Sequence, residues 1–315
     1  MLIIPNTRQM IKDEINSLIS SLYTDKKYTE LEALSVLISE KFVIELEVIL
    51  NKHAINRDGI KDFYKVSVGW IDKIPVAGFQ NQVFDHNKFP IKQKVELGDL
   101  LLISSRNDIT NNRASYRASI IQAKVAKVEK PSVPITKLGV SKPNSTSKEL
   151  ALLSHWPIFD LYRTATTSLP EINAQNLDVG KDDKQSKFMG YFEKSWYCGF
   201  PNYNELCEIS FGEHIKDVVT GYDGRPFVRN STSGDWNILI NKVLAICSEY
   251  NLPDKYYGPN KRKRLVNGDF LLLSFISEKC NATEDFDFGS EAERRLPIIL
   301  VDAIQIEGEG LKFYK

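Results

Sequence analysis

Polar residues capable of joint chemistry lie at the edges of two apolar runs in the first half of the chain. Asp99 immediately precedes the apolar run 100–103, and Gln122 and Lys124 lie in the last residues of a second run that begins at Ala118. A carboxylate, an amide oxygen and an ammonium group together suit metal-assisted hydrolysis of a phosphodiester. The oxygens can bind a divalent cation, and the ammonium can orient the attacking water and stabilise developing charge.

The flanking sequence predicts strands that would bring these three side chains together. Segments 98–104 and 120–125 are apolar and β-rich, and the polar stretch 107–117 between them predicts a hairpin-like connection. Side chains two apart on a strand share a face, so Gln122 and Lys124 should point the same way.

Helices are predicted before these strands. Apolar residues recur at helical spacing over 8–22 and 29–52, and Thr29 with Glu32 has the spacing of a capping box. Residues 64–70 alternate as a first strand. The expected order is therefore helices followed by three strands.

The segments Glu-Leu-Gly-Asp at 96–99 and Gln-Ala-Lys at 122–124 resemble the motifs of the PD-(D/E)xK nuclease superfamily, in its Gln-x-Lys variant. The resemblance implies an α/β fold with a restriction-endonuclease-like core, a mixed sheet flanked by helices. It also implies Mg²⁺ or Mn²⁺ bound by Asp99, Gln122 and the carbonyl of Ala123, with Lys124 acting on the water. Gln122 stands where the family usually has glutamate, and its neutral oxygen is the weaker ligand.

An additional acid is expected from the helix, because the superfamily usually supplies one. Glu45 lies on the apolar face predicted to turn toward the sheet, and Glu40 and Glu47 are the neighbouring alternatives. Glu45 could equally be a boundary residue with its head in water. Glu96, so close before Gly98, is expected to be a turn residue.

The chain divides on composition near residue 148. Residues 130–148 contain three prolines and many small polar residues, which predicts a loop or linker. We expect the nuclease-like core in 1–148 and an α+β region in 149–315 that completes or regulates it. In the second region, a helix that ends in a glycine turn is predicted within 211–224, a helix over 235–250, and strands over 269–276 and 296–304.

Further resemblance lies at 154–159, 211–225 and 235–236, which look like segments of uncharacterised bacterial proteins carrying the same two motifs. Proteins of this type are associated with restriction or anti-phage systems. No phosphate-cradling P-loop is present, so an ATP-driven or sensor step would come from a partner protein.

Basic residues are the candidates for nucleic-acid contacts. Two dense groups occur, one in a proline-containing tract after the second motif and one near the C-terminus, and either could be only a solvated loop. They are Lys127, Lys130, Lys137, Lys142 and Lys148, and Lys261, Arg262, Lys263 and Arg264.

Composition sets outer limits. The 315 residues include 41 basic and 41 acidic side chains, so phosphate binding would need a local positive groove rather than an overall basic charge. The four scattered cysteines form no Cys-x-x-Cys pair, which favours free thiols in a reducing cytoplasm. No apolar run is long enough to span a membrane. A homo-oligomeric state is compatible with this composition.

The sequence thus predicts a cytoplasmic, Mg²⁺-dependent nuclease acting on DNA. One alternative is a non-catalytic nucleic-acid-binding or assembly subunit on the same scaffold, because Gln122 weakens the metal site. Another is an RNA-cutting enzyme with the same core. In a purely structural interpretation, Asp99 is a turn acid and Lys124 a strand-end lysine whose stem packs on apolar surface.

Overall fold

A curled mixed β-sheet flanked by helices is the centre of the structure. The computed structural model describes residues 5–54, 56–57, 60–71, 75–108, 113–250 and 296–307. The helices are α1 (Pro5–Leu22), α2 (Glu30–Val36), α3 (Glu40–Lys52), α4 (Ser145–His155), α5 (Phe211–Thr220) and α6 (Asp235–Tyr250). The strands are β1 (Asn56–Arg57), β2 (Ile60–Ile71), β3 (Val76–Phe79), β4 (Val83–Phe84), β5 (Pro90–Ile91), β6 (Val95–Glu96), β7 (Leu100–Asp108), β8 (Arg113–Val125), β9 (Phe159–Tyr162), β10 (Ser186–Phe192), β11 (Ser195–Gly199), β12 (Ile209–Ser210), β13 (Arg225–Phe227) and β14 (Leu296–Glu307).

In the described part of the chain, nine strands form the central sheet in the order β1-β2-β14-β7-β8-β10-β11-β12, with β13 pairing on β8. Strands β7 and β8 are antiparallel, whereas β14 runs parallel to β7 and β10 runs parallel to β8. Strands β6, β3 and β9 form a smaller sheet, and β4 pairs with β5. The predicted α/β class is confirmed.

Strands from both sides of residue 148 share the central sheet. β14, near the C-terminus, pairs with β2 and β7, and β10 extends the sheet beyond β8. The predicted strand over 296–304 is therefore confirmed, while the one predicted over 269–276 lies outside the described residues.

Alternation along β7 and β8 divides the apolar core into two layers. Leu100 and Leu102 pack in the layer formed with helices α1, α2, α3 and α5, whereas Leu101 and Ile103 pack in the layer formed with α4 and α6. On β8, Ile121 and Ala123 belong to the first layer and Ile120 to the second. Because side chains alternate, Gln122 and Lys124 lie on the α4 side of the sheet.

The single helix predicted over 29–52 is wrong, because two helices cover this segment. Thr29 begins α2 with the predicted capping box, and Ser39 begins α3 by accepting a hydrogen bond from the N–H of Phe42. A serine at this position gives the chain a second helix start. The buried stripe of α3 consists of Phe42, Val43, Leu46 and Leu50.

The helices predicted in the second half are confirmed. α5 ends at Thr220 and is capped by Gly221, whose φ of 85° is the left-handed conformation that favours glycine after a helix. Within the described residues, no helix is long and apolar enough to cross a membrane.

Candidate active site

Asp99 lies across the β7–β8 pair from Gln122. Leu100 pairs with Ile121 in the antiparallel register, and the Asp99 N–H donates to the Ile121 carbonyl at 2.8 Å. Gly98 permits this approach, because a Cβ there would lie 2.6 Å from Cγ2 of Ile120. The loop that enters β7 is thereby held against the end of β8.

The carboxylate of Asp99 is fixed by two hydrogen bonds. Its Oδ2 accepts from the backbone N–H of Ala123 at 2.8 Å and from Nε2 of Gln122. Asp99 and Gln122 are both buried. Ala123 thus contributes its N–H to Asp99, and a metal-ligand role for its carbonyl stays a prediction.

Lys124 is the centre of a cluster of three carboxylates. Its Nζ lies 3.3 Å from Oε2 of Glu149, 3.5 Å from Oε2 of Glu30 and 3.6 Å from Oδ2 of Asp99. Only 11% of the Lys124 side chain is exposed, so these attractions act with little screening by water. The structure therefore brings together Asp99, Gln122 and Lys124, as the sequence predicts, and adds two acids.

Glu149 was missed by the sequence prediction. It lies in α4, whose N-terminus is capped by Asn144, with Oδ1 accepting from the N–H of Ser147 at 2.8 Å. The Glu149 side chain is buried, and its Oε1 accepts a hydrogen bond from the hydroxyl of Ser145. The sequence does carry a signal for Glu149, because it stands directly before the apolar run 150–153. A charged side chain next to a buried run is costly unless it has a partner, which indicates that Glu149 is paired.

Glu30 was also missed. It is the first residue of α2, and its half-buried side chain reaches Lys124 at the end of β8. The sequence carries no functional signal for Glu30, because it follows the N-cap Thr29. Acidic residues are favoured in the first turn of any helix.

Glu45 does not join the cluster. The prediction that it faces the sheet is wrong, because its side chain is exposed and lies outside the buried stripe of α3. In addition, α3 packs in the layer opposite α4, on the other side of the sheet from Gln122 and Lys124. Among the alternatives, Glu47 instead forms an ion pair with Lys65 at 2.8 Å.

Burial and charge shift the pKa values of this cluster. Burial raises the pKa of Asp99 to about 8, and the negative charges of Glu30 and Glu149 add to the effect although Lys124 opposes it. Burial also raises the pKa of Glu30. Burial alone would lower the pKa of Lys124, but the surrounding carboxylates raise it above its ordinary value. Lys124 is therefore an ammonium at neutral pH, and burial favours the protonated form of Asp99.

Two buried oxygens of this cluster have no hydrogen-bond partner among the described residues, Oε1 of Gln122 and Oε2 of Glu149. Glu149 Oε2 instead forms the ion pair with Lys124. Buried polar atoms of this kind are costly unless a donor or a cation satisfies them.

The donor set suits a hard divalent cation, since carboxylate and amide oxygens are the ligands of Mg²⁺. In the observed side-chain conformations, the described ranges contain no group of three histidine, cysteine or acidic residues that could bind a metal ion. The carboxylates of the cluster contact Lys124 instead. The residues that would hold Mg²⁺ are Asp99, Gln122 and Glu149, with Asp99 giving up its proton.

A pocket of about 460 Å³ opens beside the cluster. Its walls include the acids Glu149 and Glu96 and the bases Lys94 and Lys148. The Nζ of Lys148 donates to Oε1 of Gln93 at 3.0 Å. Glu96, expected in a turn, is the last residue of β6. The acidic cluster therefore borders a space that also carries two lysines, a combination suited to an anionic substrate.

The other basic candidates lie outside this arrangement. Lys127, Lys130, Lys137 and Lys142 are exposed. The group 261–264 lies outside the described residues. Nucleic-acid contacts by both groups stay predictions.

No protein family, curated protein or solved structure matches this chain. The function is therefore inferred from the side chains themselves and from the order of the elements that carry them.

Proposed function

We propose that this chain is a metal-dependent nuclease that hydrolyses DNA phosphodiester bonds. The observation that carries the proposal is the convergence of Asp99, Gln122 and Lys124 at the adjoining ends of two antiparallel strands, with Glu149 completing the oxygen donors. The element order supports the proposal, because α1–α3 precede β2, β7 and β8 of the central sheet, as the resemblance to the PD-(D/E)xK superfamily implies.

Each residue of the cluster has a distinct task in this proposal. Asp99, Gln122 and Glu149 supply oxygen ligands, and bound Mg²⁺ would polarise the phosphate and lower the pKa of water. Lys124, held as an ammonium by its carboxylates, orients the attacking water and stabilises the charge that develops on the phosphate oxygens. A protonated lysine cannot accept the proton of the water, so its role is electrostatic.

Plasmid DNA incubated with the purified protein and Mg²⁺ tests the proposal. We expect cleavage that stops with EDTA and that falls by at least about 10²-fold in Lys124→Ala, the loss typical for one charge-stabilising group. Lys41→Ala is the matched control, because this lysine is exposed on α3 and outside both the cluster and the basic groups. Equal activity of Lys124→Ala and Lys41→Ala would refute the site assignment.

One observation favours a second candidate function, a non-catalytic nucleic-acid-binding subunit. Lys124 already neutralises part of the acidic cluster, an arrangement that can also serve as a buried structural network. This candidate predicts DNA binding without cleavage at any Mg²⁺ or Mn²⁺ concentration. A parallel single-stranded RNA substrate separates the DNA-cutting enzyme from an RNA-cutting one.

A further inference from the structure

A second pocket, which we call the aromatic pocket, lies on the other flank of α4. It has a volume of about 540 Å³, and its walls include Leu150 and Ala151 of α4 together with Phe84, His86 and Tyr203. Residues 145, 148 and 149 line the pocket beside the acidic cluster, whereas 150, 151, 154 and 155 line this one. A volume in this range accommodates a small organic ligand.

Flat aromatic surfaces are the first distinctive feature of the aromatic pocket. The rings of His86 and Tyr203 are stacked, with centroids 3.7 Å apart and planes 10° from parallel. Tyr203 remains 46% exposed, and Phe84 is 50% exposed. Large exposed rings beside a cavity form a stacking platform for another planar group, and nucleobases are the planar ligands that proteins commonly stack in this way.

An unsatisfied buried carboxylate is the second feature. Asp85 lines the aromatic pocket and is 5% exposed. Its Oδ1 accepts from the N–H of Phe89 at 2.8 Å, which fixes the side chain, but its buried Oδ2 has no hydrogen-bond partner among the described residues. A carboxylate oxygen accepts and cannot donate when ionised, so the missing partner must be a donor.

A cationic group is the third feature. Lys181 lines the aromatic pocket with its side chain exposed, and its Nζ donates to Oδ1 of Asn202, another lining residue, at 3.1 Å. His155 lies on the same wall. These groups can meet a phosphate while a base contacts the carboxylate.

We propose that the aromatic pocket binds a nucleobase that presents N–H donors on its edge, with guanine preferred. Guanine offers two adjacent N–H donors, which can meet the unpartnered Oδ2 of Asp85 and the second lone pair of Oδ1, whereas thymine offers one and no amino group. The base stacks on the platform of Tyr203 and His86 and donates to Asp85, and its phosphate contacts Lys181. The base belongs either to a free nucleotide or to an unpaired position of the nucleic acid. The second source rests on the proposed nuclease function, but binding itself is measured without cleavage.

Equilibrium binding by calorimetry in EDTA tests the proposal on the full chain. The probes are GMP, TMP and ribose 5-phosphate, followed by single-stranded oligonucleotides containing one guanine or an abasic site at the same position. We expect GMP to bind more tightly than TMP and much more tightly than ribose 5-phosphate. Tight binding of GMP indicates a free-nucleotide site, and binding only of the guanine-containing oligonucleotide indicates a base of the nucleic acid.

Variants connect the binding to the pocket. Tyr203→Ala should weaken binding by about 5- to 150-fold, which corresponds to the loss of one base–aromatic stack. Asp85→Asn should reduce the preference for GMP over TMP, because an amide presents only one acceptor. Tyr222→Ala is the matched control, since this tyrosine is 43% exposed and does not line the pocket.

Two results would overturn the proposal. The first is equal affinity for GMP and ribose 5-phosphate together with no preference for the guanine-containing oligonucleotide over the abasic one. The second is unchanged binding affinity in Tyr203→Ala. Because Asp85 is buried, its variant is interpreted only if its thermal unfolding matches the wild type. If the Asp85 variant is destabilised, Tyr203→Ala and Phe84→Ala still test the proposal, because both positions are exposed and their replacement should not disturb the fold. Lys124→Ala should bind GMP normally, so a failure of the nuclease proposal remains distinguishable from a failure of this one.

Discussion

Oε2 of Glu149 lies 3.3 Å from Nζ of Lys124, an ion pair that connects helix α4 to the end of strand β8. The contact crosses from the α4 layer to the sheet on the face where Gln122 also points. It makes a helix acid part of the candidate site, although that acid comes after the strands in sequence rather than before them.

Glu149→Gln should lower DNA cleavage by about 10²-fold or more while leaving the fold intact, because the amide keeps a similar shape but loses the charge that binds the cation. Cleavage rates at saturating Mg²⁺ measure the effect. Glu45→Gln is the control, an exposed acid on the opposite layer that should retain full activity. The reverse outcome, with Glu45 essential and Glu149 dispensable, would reject the site described above.

Gln122→Glu should retain or raise Mg²⁺-dependent activity and make the stability of the fold more dependent on the metal. Nε2 of Gln122 donates to Oδ2 of Asp99, so the substitution replaces a buried hydrogen bond by two facing carboxyl groups. The loss should be about 1–3 kcal/mol of unfolding free energy without metal. A hard cation offsets the repulsion.

Thermal unfolding with and without Mg²⁺ checks the Gln122→Glu variant. We expect a larger Mg²⁺-induced rise in the unfolding temperature than the wild type shows. A variant that folds normally in EDTA yet cannot cleave would instead indicate that Gln122 acts through its neutral amide.

The part of the site that could be predicted from sequence depends on local periodicity. Asp99, Gln122 and Lys124 lie on neighbouring strands whose apolar runs are visible in the chain, and their convergence follows from strand pairing alone. Glu149 and Glu30 could not be placed in this way, because their positions depend on how α4 and α2 pack against β8.

Two features of the fold could not be predicted from local sequence patterns. The apolar spacing over 29–52 continues through the break at Ser39, so it predicted one helix and put Glu45 on its buried face. The insertion of β14 between β2 and β7 joins segments far apart in sequence, and no local pattern specifies such a pairing.

Mg²⁺ affinity should rise with pH up to about 8. In the folded chain the pKa of Asp99 is about 8, whereas an unfolded aspartate loses its proton near pH 4. Below pH 8 the cation must displace this proton, so affinity should rise about tenfold per pH unit and then level off. Without metal, the raised pKa means that the stability linked to Asp99 is present at low pH and is lost as pH rises toward 8.

Calorimetric titration with Mg²⁺ at pH 6.5, 7.5 and 8.5 measures this linkage. Asp99→Asn should bind more weakly and lose the pH dependence. Affinity of the wild type that is the same at all three pH values would mean that Asp99 does not bind the cation.

Acidification should destabilise the fold through His214. This buried residue on α5 is 3.1 Å from Oδ2 of Asp223 and 3.1 Å from Oγ of Ser119, and Lys187 also faces Asp223 at 3.3 Å. Burial lowers the pKa of His214, although Asp223 opposes the shift. A neutral imidazole satisfies both contacts, with Nδ1–H donating to Asp223 and Nε2 accepting from Ser119.

Because the folded pKa of His214 lies below the unfolded value near 6.5, its contribution is present above that pH and is lost as pH falls below it. The unfolding free energy should therefore decrease by up to about 1.4 kcal/mol per pH unit from this group. Urea denaturation at pH 7.5, 6.5 and 5.5 measures the slope. His214→Gln should flatten it over this range, and an identical slope in the variant would assign the pH dependence to other groups.

The exposed lysines of the proline-containing tract should bind the nucleic-acid backbone. Lys137 and Lys142 are both exposed, whereas Lys148 is engaged with Gln93 beside the acidic cluster and is better left intact. Replacing Lys137 and Lys142 together by alanine should weaken duplex binding regardless of base sequence. If both contact phosphates, the slope of log K against log salt should become shallower by about 1.8, that is about 0.9 per contact.

The control for the tract lysines is the double variant Lys27→Ala and Lys41→Ala. It removes the same charge at exposed positions outside the tract and should change neither the affinity for duplex DNA nor the salt slope. Equal salt slopes for the two double variants would show that the tract is only a connector, and residues 261–264 would then be the next group to replace.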